Sequence, residues 1–224
     1  MKIVVLGAPG TGKGTYSREL SRLLKVPHIA SGDILRAARY DPEVGKTVRD
    51  HQDKGLSVPD EIIMPLFEKR LKKDDCKNGF ILDTIYNITQ AKMLDKITSI
   101  DLVINLLLPD NIIIKKNLGR IICKNCGAIY NTADIKEGDI NMPPLLSKKE
   151  GICDKCGGPL IERTDDTEET IRERLRVYRE RITPVLEFYR EKSIVKDFNV
   201  NAHPSIMVPK LLNLIKSNTS GEKK

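Results

Sequence analysis

Nine residues near the start, Gly7-Ala-Pro-Gly-Thr-Gly-Lys-Gly-Thr15, constrain the fold of this 224-residue chain more than any other segment. They follow the apolar run Ile3-Val-Val-Leu6 and precede a helical pattern with Tyr16, Leu20, Leu23 and Leu24 on one face. That order is strand, loop, helix, the opening of a βαβ unit. Gly7-x-x-x-x-Gly12-Lys13 meets the core of the phosphate-binding-loop pattern in the context that pattern requires. Gly10, Gly12 and Gly14 leave room for the N–H groups of the loop, including Thr11, to turn inward around phosphate oxygens, and the helix N-terminus adds partial positive charge. Lys13 supplies a mobile ammonium to a phosphoryl group in transfer. The general pattern has Ser or Thr directly after the lysine; here Gly14 intervenes before Thr15. A nucleoside triphosphate with Mg²⁺ is the implied ligand, in the crevice at the end of the sheet's first strand.

The rest of the chain continues the alternation. Pro27–Ala30 reads as extended and leads through Ser31-Gly-Asp33 into a helix from Ile34. Residues 31–59 are polar and rich in turn formers, as in an inserted helical module. Ile62–Leu71 reads as a helix, Phe80–Asp83 as a buried strand ending in a carboxylate, and Leu102–Leu108 as a buried parallel strand. A helix over Asn111–Leu118 leads into a cysteine-bearing segment. Asp165-Asp166 is expected to cap a charged helix to about Arg181, with another helix after Pro184, a last strand at Ile194–Phe198, a final helix over Pro204–Ser217 and a disordered tail, 218–224. The predicted fold class is α/β: a phosphate-binding-loop type parallel sheet flanked by helices. Residues 1–30, 60–118 and 167–217 form its core, interrupted by modules at 31–59 and 119–166.

Four of the five cysteines form two Cys-x-x-Cys pairs, Cys123/Cys126 and Cys153/Cys156, with 26 residues between them. No apolar run approaches the roughly 20 residues a membrane helix needs, and no export signal is evident. A cytoplasmic setting is therefore expected, and in it such pairs read as metal ligation before disulfides. Each pair precedes a glycine, a knuckle that lets two thiolates converge on one tetrahedral ion. A closed Cys₄ cage implies structural Zn²⁺, with iron as the competing metal. The net charge of +7 suits anionic ligands of any size.

The variant Gly-x-Pro-Gly-x-Gly-Lys-Gly-Thr is similar to the loop of adenylate kinases, and the resemblance extends over nearly the whole chain. It implies an acceptor nucleotide site in the 31–59 module, with Ser31 at the base, Arg36 at the acceptor phosphate and Leu56-Ser57-Val58 along the base pocket. It implies that Gln90 reads the adenine edge and that Asp83 positions Mg²⁺-bound water. It also implies that 119–166 is a zinc-bearing lid: Arg120 descends on the triphosphate, Arg163 and Arg174 grip the acceptor and the phosphoryl in flight, and Ile129 and Tyr130 border ATP. His203-Pro204 matches the loop near the ATP base.

The chain departs from the family in places. After the strand aspartate, adenylate kinases usually carry Gly-Phe-Pro-Arg-Thr; here Thr84-Ile-Tyr-Asn-Ile88 stands instead, without the arginine that clamps the acceptor phosphate. That implies either that neighbouring lysines substitute for it or that the acceptor site is altered in affinity or selectivity. Lys116 holds a position usually occupied by arginine, and Ile121 replaces a second arginine. The gap between knuckles is longer than usual, and its excess within Thr132–Lys149 reads as a surface loop. The implied activity is reversible phosphoryl transfer from ATP to AMP by a monomer with no nucleic-acid or membrane partner. A kinase for UMP or CMP, and a zinc-ribbon nucleic-acid-binding or regulatory ATPase, are the alternatives.

Overall fold

Short apolar segments that alternate with amphipathic helices assemble here into a five-stranded parallel sheet. The computed structural model describes residues 1–54, 56–163 and 166–219. Strand β1 (Lys2–Gly7) enters the glycine-rich loop and α1 (Lys13–Leu24). Strand β2 (His28–Ala30) leads into α2 (Ser31–Ala38), followed by α3 (Gly45–Asp53) and α4 (Asp60–Leu71). Then come β3 (Phe80–Asp83), α5 (Ile88–Ile97), β4 (Leu102–Leu107) and α6 (Asp110–Leu118). The cysteine segment contributes β5 (Arg120–Cys123), β6 (Ile129–Asn131), β7 (Ile135–Glu137), β8 (Ile140–Met142) and β9 (Leu160–Glu162). The chain returns with α7 (Glu168–Glu191), β10 (Val195–Asn199) and α8 (Pro204–Thr219).

The sheet order is β10-β4-β1-β3-β2, with every neighbouring pair parallel. Alternate residues of β1 serve opposite faces, as the two-residue strand period requires. Ile3 and Val5 join Tyr16 and Leu20 of α1 and Leu211 and Ile215 of α8 in one apolar cluster. Val4 and Leu6 join Phe67, Leu94, Val185 and Tyr189 from α4, α5 and α7 in another. Burial on both faces explains why β1 and β4 read as continuous apolar runs, and each fully buried side chain contributes about 2 kcal/mol through lost apolar surface.

Several local expectations are corrected by packing. The helix expected from Ile34 begins at Ser31, directly after β2. Two helices were expected around Pro184; one helix, α7, runs through it. Proline removes one intrahelical hydrogen bond, but Ile182 and Val185 on either side are buried in the core and hold the helix in register. The N-cap of α7 is Thr167, which accepts from Thr170 N, whereas Asp165 lies outside the described residues. Leu23 is largely exposed; the buried stripe of α1 is Tyr16, Leu20 and, in part, Leu24. Asn218 and Thr219 close α8, and 220–224 lie outside the described residues. Helix α5, absent from the sequence expectations, is capped by Asn87, whose side chain accepts from Gln90 N.

The largest correction concerns Thr132–Lys149. It is not a plain surface loop: β7 and β8 pair antiparallel, and Ile135, Ile140 and Met142 are buried in the same apolar cluster as α1 and α8. A separate three-stranded sheet, β6-β5-β9, carries the knuckles around its own small cluster of Cys123, Tyr130 and Cys153.

Candidate active site

The carboxyl ends of the sheet strands set the site's layout. The glycine-rich loop follows β1, Asp83 ends β3, Ser31 follows β2, and on the other side Ala202–Pro204 follows β10. Gly10 has φ +97°, and a Cβ there would overlap the Asn117 amide, which itself donates to Pro9 O at 3.3 Å and Ile113 O at 2.9 Å. Glycine is therefore required both for the turn and for its close seat on α6. Gly12, at φ +98°, is the N-cap of α1, so the helix's unpaired N–H groups face the loop.

Lys13 Nζ donates to Gly7 O at 2.7 Å and Ala8 O at 3.3 Å, bent back over its own loop. Burial lowers its pKa from the ordinary lysine value while the Asp83 charge opposes the shift. A Cβ on Gly14 would lie 3.4 Å from Asp83 Oδ2, so the glycine that displaces the usual hydroxyl residue keeps the space beside this carboxylate clear. Burial pushes Asp83 up, but His28, Lys13 and the Thr84 hydroxyl outweigh it and hold the carboxyl below its usual range. Thr84 Oγ1 donates to Asp83 Oδ1 at 2.9 Å; His28 Nε2 lies 3.5 Å from Asp83 Oδ2 without hydrogen-bond alignment.

A cavity of about 540 Å³ brings together Gly10, Gly12, Lys13, Gly14, Thr15, Asp83, Arg120, Ile129, Tyr130, Arg163 and His203. Thr11 does not line it: the residue is fully buried and its hydroxyl donates to Ala8 O at 2.8 Å, bracing the loop. Arg120 makes a forked pair with Asp166, Nε at 2.8 Å and Nη2 at 2.5 Å, and Arg174 Nη1 lies 3.5 Å from the same carboxylate. Asp166 was not singled out from sequence as a site residue; a carboxylate shared by two arginines, Arg120 and Arg174, is detectable only in three dimensions. Lys116 also lines the cavity, and burial brings its ammonium down to about 8.

Of the residues expected at the acceptor, Arg163 lines that cavity, whereas Ser31, Arg36, Leu56, Ser57, Val58, Gln90 and Arg174 do not. Ser31 is buried, with its hydroxyl 3.4 Å from Tyr86 Oη. Arg36 pairs with Asp33 on the exposed face of α2. Leu56 and Ser57 are exposed, whereas Val58 is buried with Ala38 and Val48 in a small module core. Gln90 is buried, its Oε1 accepting from Tyr86 N at 2.9 Å and its Nε2 donating to Asp60 Oδ1 at 2.7 Å. The altered loop sends Tyr86, half exposed, to the cavity wall. The lysines on that wall, Lys13 and Lys116, belong to the triphosphate loop and α6 rather than to the altered loop.

The sulfur atoms of Cys123, Cys126, Cys153 and Cys156 all lie within 4.8 Å of one another. Tetrahedral Zn–S bonds of about 2.3 Å require sulfur separations of about 3.8 Å, and the Cys123–Cys156 and Cys126–Cys153 distances are 3.4 and 3.6 Å. The four thiols can therefore hold one metal ion. Tyr130 Oη donates towards Cys153 Sγ at 3.6 Å and accepts from Asp154 N at 2.7 Å, which orients the ligand.

A parallel sheet with a phosphate loop at β1, a buried carboxylate at the neighbouring strand and arginines drawn over the cavity defines the class of nucleotide-dependent phosphotransferases. The sequence model described as Adenylate kinase matches residues 5–194. The adenylate kinase of Caldicellulosiruptor bescii is 45% identical over 202 residues, covering 87% of this chain and 89% of its own. That of Archaeoglobus fulgidus is 41% identical, covering 88% and 89%, and that of Thermosipho africanus is 41% identical, covering 96% and 100%. The chain belongs to the adenylate kinase family. No helix among the described residues is long and apolar enough to cross a membrane.

Proposed function

We propose that the protein transfers the terminal phosphoryl of Mg·ATP to AMP, reversibly giving two ADP. The observation that carries this reading is the convergence of Lys13, Asp83, Arg120 and Arg163 on one cavity, with Arg120 and Arg174 drawn to the single carboxylate of Asp166.

Phosphoryl transfer asks a protein for in-line positioning and charge neutralisation, not covalent chemistry. The loop N–H groups of Gly10–Thr15 cradle the triphosphate, and Lys13 exchanges its loop carbonyls for phosphate oxygens. Arg120, Arg163 and Arg174 spread the charge that develops in transfer. Asp83 and Thr15 offer oxygen ligands, directly or through water, for Mg²⁺, whose chemistry when bound is to neutralise charge on the phosphate oxygens. Ile129, Tyr130 and His203 border the ATP nucleoside. No side chain is needed as general base.

The acceptor belongs in the module 31–59, with Ser31, Arg36, Leu56, Ser57, Val58 and Gln90 around it, and the segment 119–166 acts as the lid over the core formed by 1–30, 60–118 and 167–217. Zn²⁺ is the metal of the four cysteines: it replaces a hydrophobic core too small to form by itself and keeps the lid's shape as it moves. Reduced thiols in this role suit the cytoplasm.

One observation favours a second reading of the acceptor. Both ends of the Gln90 amide are bonded within the protein, to Tyr86 and Asp60, which fixes its orientation and leaves one N–H and one lone pair for a base, so its reading of adenine is narrowed. A coupled assay across AMP, UMP, CMP and GMP tests both. AMP turnover supports the adenylate reading, preference for UMP or CMP supports the second, and no turnover with any overturns the kinase.

A further inference from the structure

Asp60, Asn87 and Gln90 close a hydrogen-bonded ring between the starts of α4 and α5. Gln90 Nε2 donates to Asp60 Oδ1 at 2.7 Å, and Asn87 Nδ2 donates to Asp60 Oδ2 at 2.9 Å. Asn87 Oδ1 completes the ring by accepting from Gln90 N at 2.8 Å. Outside it, Gln90 Oε1 accepts from Tyr86 N at 2.9 Å. Gln90 is only 6% exposed, so its amide has little water to turn to instead.

The chemistry of the ring is directional. A carboxylate accepts and cannot donate. Asp60 therefore draws the NH₂ ends of both amides to itself and turns both oxygens away. Asn87 is held a second time as the cap of α5, and Gln90 a second time by Tyr86 N. Flipping the Gln90 amide would set its NH₂ against the Tyr86 N–H and its oxygen against a carboxylate oxygen. The altered loop after β3 supplies two of these anchors, the Tyr86 N–H and the Asn87 side chain.

Adenine presents a bare ring nitrogen beside an amino group. Guanine, with the same fused rings, presents a ring N–H beside a carbonyl. A carboxamide free to turn over pairs with either edge; a fixed one pairs with one of them only. Gln90 keeps one N–H and one lone pair for that contact. We infer that Asp60 is a positioning residue that locks the Gln90 amide, with Asn87 completing the lock, so that amide orientation selects between the two purines. This rests on the acceptor reading above, in which Gln90 faces the base. Asp60 touches no substrate in this scheme and acts through Gln90.

The test is the calorimetric Kd of AMP, GMP and Mg·ATP for the unaltered protein, for Asp60→Asn and for Asp60→Asn/Asn87→Asp, with a thermal melt of each. In the single variant the shared group offers one acceptor to two donors, so the Gln90 amide loses its one satisfied orientation. The ratio of GMP Kd to AMP Kd is expected to fall about 10-fold, the discrimination of one bidentate base contact. Mg·ATP should stay within about twofold. The double variant exchanges the two groups. Its carboxylate at position 87 still caps α5 and takes an N–H from the amide at position 60, whose oxygen then serves Gln90 Nε2. The ratio should return.

An unchanged ratio in folded Asp60→Asn, or no recovery in the double variant, would overturn the inference. So would equal losses for both purines, which is what a mere brace between α4 and α5 predicts. Should Asp60→Asn not fold, side-chain amide exchange by NMR on the unaltered protein decides. Slow exchange of the Gln90 Nε2 protons supports the lock, and exchange as fast as that of exposed carboxamides refutes it. Because Kd needs no turnover, the two readings fail separately. A GMP preference that collapses in the single variant and returns in the double sinks the adenylate reading and keeps the lock; no purine preference in the unaltered protein sinks the lock.

Discussion

Asp166 accepts both forks of the Arg120 guanidinium, at 2.8 and 2.5 Å, and lies 3.5 Å from Arg174, so one buried carboxylate aligns arginines from β5 and from α7. Arginine is rigid only when its fork is held. Asp166→Asn keeps the shape and loses the charge that both arginines share. Steady-state kinetics should show kcat reduced about 10- to 100-fold, the cost of mispositioning transition-state charge donors, with a smaller change in ATP Kd. A kcat within twofold of the unaltered enzyme would remove Asp166 from the positioning scheme.

In the proposed reaction Lys13 is the cation placed at the triphosphate loop. Its ammonium donates to Gly7 O and Ala8 O, and burial lowers its pKa from the ordinary lysine value against the opposing Asp83 charge. Lys13→Met should lower kcat by about 10³-fold while the protein melts no lower, since removing a desolvated ammonium does not cost stability. Single-turnover measurements at saturating ATP separate this loss from weaker binding.

Lys116 links the donor site to pH. Its ammonium is brought from 10.5 down to about 8 by burial. Between those values the unfolded chain binds more protons than the folded one, so this residue's contribution makes stability rise with pH across that window. Below about pH 8 the full burial penalty is present. Lys116→Met should therefore raise stability at pH 7 by about 2–3 kcal/mol, with the gain shrinking towards pH 10. Lys116→Arg should hold its charge and flatten the loss of ATP affinity expected above pH 8. Denaturant melts and ATP titrations at pH 7, 8.5 and 10 check both.

The four-cysteine cage ties knuckles that have little apolar core besides Cys123, Tyr130 and Cys153. Chelation, or Cys153→Ser, should lower Tm by on the order of 5 °C, the shift of a 1–2 kcal/mol loss in a chain of this size, and should speed amide exchange in β5, β6 and β9 ahead of the parallel sheet. Metal content measured alongside decides between zinc and iron. An unchanged melt after the metal is gone would mean that it does not brace the lid.

The parts of the protein readable from sequence were those whose geometry is local. The phosphate loop sits in nine consecutive residues, and each knuckle in four. Burial on both faces made β1, β3 and β4 continuous apolar runs. What escaped depended on partners far along the chain. Pro184 signals a break when only α7 is considered, yet the core contacts of Ile182 and Val185 carry the helix through it. The β7–β8 hairpin has an alternating signal in Ile135-Lys-Glu-Gly-Asp-Ile-Asn-Met142, but its docking partner lies some 60 residues onward at Asn201. Asn87 and Gln90, spaced as an N-cap and its third residue, could have revealed α5.

The loop after Asp83 bears on the proposed acceptor, and its residues are not equally available for substitution by arginine. Asn87 caps α5 through Gln90 N and donates to Asp60 at 2.9 Å, so substitution there would unsettle the helix start. Thr84 bonds Asp83 and takes φ +85°, a left-handed conformation unusual for a β-branched residue. Ile85 is buried in the core. Tyr86 alone of these is half exposed on the cavity wall, next to Ser31 at the head of α2. Tyr86→Arg should return a guanidinium to the acceptor phosphate and lower the KM for AMP about 10-fold, the gain of one charge-assisted hydrogen bond, without moving the KM for ATP. Tyr86→Phe removes only the hydroxyl and should raise the AMP KM severalfold if that group now serves the phosphate. If neither variant shifts the AMP KM while both turn over, the acceptor phosphate is held elsewhere, and Arg36, free to leave its exposed pair with Asp33, becomes the residue to change next.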